Sequence, residues 1–346
     1  MSQINKPSEY FNTKLYSGNS STQSITGVGF QPDWTWIKYR NDGTYGHDLY
    51  DAVRGATKTL NSNNTNAEYT SADRLTLFDS DGFSLGSNAS VNNSGGNYVA
   101  WNWLAGGTGV SNTDGSITST VSANTTSGFS IVSYTGNGSA GSTIGHGLGV
   151  APAMIITKVR STSNNWMVYH KSLPITEYLI MNSTVASQTD NEVVYYDTAP
   201  SSSVFTIGNN GVVNGSGSTY IAYCFAEKKG FSKFGSYTGN GSADGTFVYT
   251  GFKPAFVIFK NTTTANRQWY LMDNKRNTYN VANIVLAPNQ ANDESWWGTG
   301  NNIDFLSNGI KIRSNSDINN SGDNFIYMAF AENPLVGTNN IPTTAR

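Results

Sequence analysis

At 346 residues the chain is too long for one ordinary domain and implies several. A net charge of −2 with only 13% charged residues excludes the clustered Lys and Arg of a nucleic-acid binder. The 8 Trp, 19 Tyr and 16 Phe exclude a disordered chain, and no apolar run is long enough for a membrane-spanning helix.

Residues 1–9, MSQINKPSE, read as an N-terminal arm without the apolar stretch of a signal peptide. From there the chain repeats a set of blocks three times. YSGN at 16–19 is followed by YTGNGSA at 134–140 and again at 237–243. About 15 residues later comes a Pro-led apolar run ending in Lys: PDWTWIK from Pro32, PAMIITK from Pro152 and PAFVIFK from Pro254. Asp81-Gly82, Asn210-Gly211 and Asn308-Gly309 are dipeptides preferred in two-residue hairpins. Each set closes with a polar turn and an aromatic strand: GNYVAWNW, STYIAYCF and DNFIYMAF, ending at 103, 225 and 330. Such self-similarity reads as an internal triplication. It places units at 10–107, 128–228 and 229–333, with a tail at 334–346.

Residues 108–127 are a linker by composition, or an added strand through the alternating Ile117–Val121. The Pro-led runs alternate, so Trp34 and Trp36 share one strand face, as do Met154 and Ile156, and Phe256 and Ile258. Only Asp51–Leu60 suggests a short helix. Many short strands joined by Gly, Asn and Ser predict an all-β chain of three tandem β-sandwich or jelly-roll domains.

The chemistry is sparse. Cys224 is the only cysteine, so no internal disulfide exists, and its strand position makes it a small buried residue rather than a nucleophile. His47, His146 and His170 lie in different blocks and offer no zinc spacing. Asp79 and Asp81 read as turn residues; the alternative is a calcium site confined to the first unit. Lys38, Lys158 and Lys260 end equivalent strands and read as solvated. Glu68, Glu192 and Glu294 fall at corresponding points, each followed by aromatics: Tyr69, Tyr195-Tyr196 and Trp296-Trp297. An acid beside rings suits a sugar, whose C–H faces stack while its hydroxyls bond the carboxylate. An edge Glu among buried aromatics is the plainer alternative. Trp296, Trp297, Tyr195, Tyr196 and Glu294 are therefore the candidate contact residues for a ligand or partner. No repeated catalytic constellation and no cofactor motif occurs, which points to binding or assembly rather than to an enzyme.

The blocks GVGFQPDWTWIKYR (27–40), HDLYDAVRGATK (47–58), FDSDGFSLG (78–86) and GNYVAWNWLAGG (96–107) resemble a repeat domain of virion proteins of aquatic, cyanophage-type bacteriophages. The second and third units look like divergent copies. The resemblance implies concanavalin A-like jelly rolls and a virion structural protein on the particle surface, made in the host cytoplasm. It implies other virion proteins as partners and a homo-oligomer with a trimer favoured. The expected role is host attachment through a tail-fibre or spike-like appendage, with contact to a host glycan through the aromatic loops. It brings no catalytic residues. The rival within that class is a capsid decoration protein; the rival outside it is a polysaccharide depolymerase.

Overall fold

Strands account for almost all the regular structure of the computed structural model, which describes residues 3–296, 298, 300–337 and 342–344. The protein is all-β, and its sheets are antiparallel. Each unit contains the same four-strand order. The opening strand pairs with the closing strand, the closing strand with the Pro-led strand, and the Pro-led strand with the one after it. In the first unit that order is Phe11–Ser17, Asn97–Trp103, Trp34–Tyr39 and His47–Asp51. In the second it is Phe129–Thr135, Thr219–Phe225, Met154–Val159 and Trp166–His170. In the third it is Ser232–Thr238, Asn324–Pro334, Phe252–Asn261 and Trp269–Asp273.

A smaller sheet covers one face of each four-strand layer, completing a sandwich with its own apolar core. The other faces of all three layers turn toward one another and enclose a common core. Strand alternation explains the division: Trp34 and Trp36 enter the common core, while Ile37 and Tyr39 enter the first unit's own. The units are thus not beads on a string. Equivalent residues Trp103, Phe225 and Phe330 meet at the centre, with Phe330 5.6 Å from Trp103 and 6.1 Å from Phe225 between ring centroids. Ile4 from the N-terminal arm is also buried there, and its N–H donates to the Lys229 carbonyl.

Residues 108–127 resolve in favour of added strands. Val110–Asn112 and Ser119–Asn124 extend the second unit's large sheet beyond Phe129–Thr135. Asp51–Leu60 forms no helix; the strand ending at Asp51 turns into the strand Lys58–Asn61. Asp81-Gly82 does lie at a hairpin, between Leu75–Asp79 and Gly82–Leu85, and Asn308-Gly309 at the equivalent hairpin of the third unit, closed by the Leu306 N–H to the Gly309 carbonyl. Asn210-Gly211 is different. Asn210 caps the one-turn helix Gly211–Asn214, its Oδ1 accepting the Val212 N–H, as Asn88 caps Ala89–Asn92 in the first unit.

The YTGN motif is a structural lock. The hydroxyls of Tyr16, Tyr134 and Tyr237 donate to the carbonyls of Val91, Val213 and Ile318, at 2.8, 2.8 and 2.6 Å. Their rings stack on Tyr98, Tyr220 and Phe325 at 5.1, 5.0 and 4.9 Å. The glycine after each motif's first two residues permits a close crossing: a Cβ on Gly18, Gly136 or Gly239 would lie 2.2, 2.6 or 2.2 Å from a backbone oxygen. Beyond the glycine, the N–H groups of Asn19, Asn137 and Asn240 donate to the side chains of fully buried Asn92, Asn214 and Asn319. Each of those amides in turn donates to two backbone carbonyls in its own unit. Asn92→Ala is expected to lower the unfolding free energy by about 1–3 kcal/mol, because it strands buried polar groups. A urea midpoint equal to that of the unmodified chain would rule the lock out.

Candidate functional site

The three units meet at three junctions, and equivalent strand positions make the contacts at each. At two of them an indole N–H reaches the preceding unit: Trp166 Nε1 donates to the Asn61 carbonyl at 2.9 Å and Trp269 Nε1 to the Ile180 carbonyl at 3.0 Å. His47 occupies that strand position in the first unit. It accepts from Trp36 Nε1 at 2.8 Å, so Nε2 carries the proton; Nε2 approaches the Ala287 carbonyl without reaching hydrogen-bond geometry. Near the opposite ends of the strands, Tyr223 donates to Asp51 at 2.8 Å, Trp101 to Asp273 at 3.2 Å, and His170 Nε2 to the Tyr327 carbonyl at 3.2 Å. Asp51 and Asp273 are fully buried and each is paired with an arginine three residues on, Arg54 and Arg276.

The lysines are not solvated. Continuing the alternation from Trp34 and Trp36 puts Lys38 on the same inward face, and Lys38, Lys158 and Lys260 are fully buried. Their ammonium groups donate to loop carbonyls: Lys38 to Tyr39, Asp42 and Tyr45, Lys158 to Thr65 and Asn164, Lys260 to Arg267. Burial pulls them down to about 8, about 8 and about 7. They close loops and point into no cleft.

The glutamates divide. Glu68 and Glu294 do occupy equivalent places, but at junctions rather than beside a ligand. Arg160 Nε and Nη2 grip Glu68 at 2.9 and 3.0 Å, and Arg40 grips Glu294 through two contacts of 2.9 Å. Both pairs are reinforced by backbone bonds, Glu68 N–H to the Arg160 carbonyl at 2.8 Å and Glu294 N–H to the Arg40 carbonyl at 2.9 Å. The same backbone bond at the third junction runs from Ser187 N–H to the Thr262 carbonyl at 3.1 Å. Ser187, not Glu192, is therefore the counterpart of the two glutamates, and Thr262 that of the two arginines. Glu192 sits in a left-handed turn with φ 62°.

The other contact candidates do not converge. Tyr195 is buried in the second unit's core, its hydroxyl donating to the Met167 carbonyl at 3.1 Å. Tyr196 packs against Gly141. Trp296 is 67% exposed, and Trp297 lies outside the described residues. Asp81 accepts from the Gly27 and Gly29 N–H groups at 2.9 and 2.6 Å, and Asp79 from the Ser84 hydroxyl at 2.7 Å. Both are spent on the turn, and the described residues hold no cluster of three metal-ligating side chains. Cys224 is buried, and burial pushes its thiol up.

Two polar hollows among the described residues bear on a ligand. In the first unit, about 210 Å³ is lined by Tyr45, Asp48, Asn61, Tyr69 and Arg74. Its acid is occupied: Asp48 accepts from Arg74, Asn61 and Ser90, and the Arg74 guanidinium lies 5.2 Å above the Tyr69 ring. The second hollow, about 610 Å³, lies at the junction that lacks the Arg–Glu pair. The second unit contributes Ser172, Leu173, Pro174, Glu177 and Ser187; the third contributes Ser236, Thr262, Asn324 and Ile326 among others. No basic side chain lines it. Ser187 Oγ donates to the Thr262 carbonyl at 3.0 Å, and Thr262 Oγ1 to the Asn324 carbonyl at 3.1 Å. This cleft was not legible in the sequence, because Ser187 and Thr262 carry no motif.

No curated protein and no solved structure matches the chain. One family model does, and its single match, residues 6–334, takes in all three units. The chain therefore belongs to the family described as a domain of unknown function, DUF7483.

Proposed function

We propose that the protein is a non-enzymatic structural protein of a bacteriophage particle that serves attachment to the host surface, as part of a tail-fibre or spike-like appendage. The observation that carries the binding part of this reading is how the reactive side chains are spent. Asp51, Asp273, Glu68, Glu294 and the three buried lysines all hold the units together or close loops. What is left over for a ligand among the described residues is a cleft lined mainly by uncharged polar side chains. The particle part is supported by the resemblance of the first unit's blocks to virion repeat domains. Other virion proteins are then the partners, and a host glycan the ligand.

Immunogold labelling of intact virions with an antibody against this chain tests the reading. Label at the tail is the expected result. Label spread evenly over the head makes the protein a capsid decoration subunit, and unlabelled particles overturn the virion assignment.

A further inference from the structure

We infer that the cleft at the junction of the second and third units is a binding site for a neutral saccharide. The inference supplies the ligand class for the attachment reading, but the binding itself stands on the cleft alone. The closed junctions show what the cleft is made from. At the first-to-second junction the Arg160 guanidinium fills the space between units, bonding Glu68 on one side and the Ser133 hydroxyl, at 3.1 Å, on the other. Ser133 pairs with Ile221 in its sheet exactly where Ser236 pairs with Ile326 in the third unit. Ser236 lines the cleft, and the arginine that would grip it is Thr262. The replacement of Arg by Thr and of Glu by Ser removes two long side chains together and leaves room rather than an unpaired charge.

The volume of about 610 Å³ falls within the ~300–1,000 Å³ of small-molecule sites. The hydroxyls of Ser172 and Ser236 and the Glu177 carboxylate have no hydrogen-bond partner within the protein among the described residues. Hydroxyls both donate and accept, and a carboxylate accepts from a pair of vicinal sugar hydroxyls. Pro174 is exposed in the lining and offers an apolar contact to the C–H face of a pyranose, backed by the buried Leu173 and Ile326. With one carboxylate and no cation in the lining, an anionic ligand is repelled and a neutral one is not.

The test is calorimetric titration of the full chain with neutral tetrasaccharides (maltotetraose, cellotetraose, mannotetraose) and with tetragalacturonic acid as the anionic counterpart. At least one neutral sugar is expected to bind, and the acid is not. The double variant Ser187→Glu/Thr262→Arg rebuilds the closed junction and should weaken binding at least about tenfold. Glu177→Gln, which leaves the junction backbone intact, should also weaken it if the double variant fails to fold. No binding by any neutral sugar, preference for the acid, or undiminished affinity in whichever of these variants fold overturns the inference. Because these readouts need no virion, sugar binding together with head labelling would sink the attachment reading and leave the site standing.

Discussion

Arg54→Ala will lower the unfolding free energy by about 3–5 kcal/mol, read from urea denaturation at neutral pH. Arg54 is fully buried and pairs with Asp51 three residues earlier. It also donates to the Leu49 carbonyl at 2.9 Å, the Lys58 carbonyl at 3.0 Å and the Glu68 carboxylate at 3.2 Å. Removing it leaves the Asp51 carboxylate in the interior with only the Tyr223 hydroxyl and a backbone N–H as company. A buried charge stripped of its partner costs far more than the intact pair contributed. The double variant Asp51→Leu/Arg54→Met should therefore recover much of the loss, since both charges go together. The second unit already takes the neutral route, with His170 and Leu173 at the corresponding positions. A loss below about 1 kcal/mol in Arg54→Ala would contradict this account.

Acid will destabilise the fold, and His170 will account for about 3 kcal/mol of the effect. Burial holds its imidazole down to about 4; the ring donates from Nε2 to the Tyr327 carbonyl and accepts the Ser172 N–H at Nδ1. Lys171 beside it pushes in the same direction. Burial holds His47 well below its usual range, helped by Lys38 and Arg276, and lowers His146. In the unfolded chain these rings take up protons below about pH 6.5. The unfolded state then binds more protons than the folded state, so stability is full above 6.5 and falls as the pH drops. For His170 the loss stops growing near pH 4, where the folded protein protonates too. Urea midpoints at pH 7 and pH 4 give the measurement. The unmodified chain should lose about 3 kcal/mol more between them than His170→Gln does. Equal losses in both proteins would show that the ring is not held neutral.

The block order and the strand pattern were legible because each block carries a local physical signal: alternation, turn dipeptides, aromatic strand ends. The common core was not. PAMIITK and PAFVIFK are apolar on both faces, and alternation does not say which face meets a private sheet and which meets two neighbouring units. Lys38 was readable in hindsight, since it shares parity with Trp34 and Trp36. Its burial depends on loop carbonyls that only the folded chain gathers. Glu192 was mistaken for the partner of Glu68 and Glu294 because acid-then-aromatic recurs there by composition. Position is set instead by a backbone bond that picks out Ser187. Asn210-Gly211 was read as a hairpin because Asn before Gly also suits a helix cap, where the side chain rather than a left-handed backbone does the work. The cleft escaped for a related reason: it is defined by two residues being small where their counterparts are large, and one unit read alone does not show that.

Where three copies of a short chain surround one core, a substitution is felt at every seam simultaneously. Here one chain closes all three seams, and each is free to change independently. One of them carries Ser187 and Thr262 where its two counterparts carry an Arg–Glu salt bridge. An assembly of such chains would carry as many open seams as it has chains, so that its valency would be set by how many are mounted and not by the symmetry inside each.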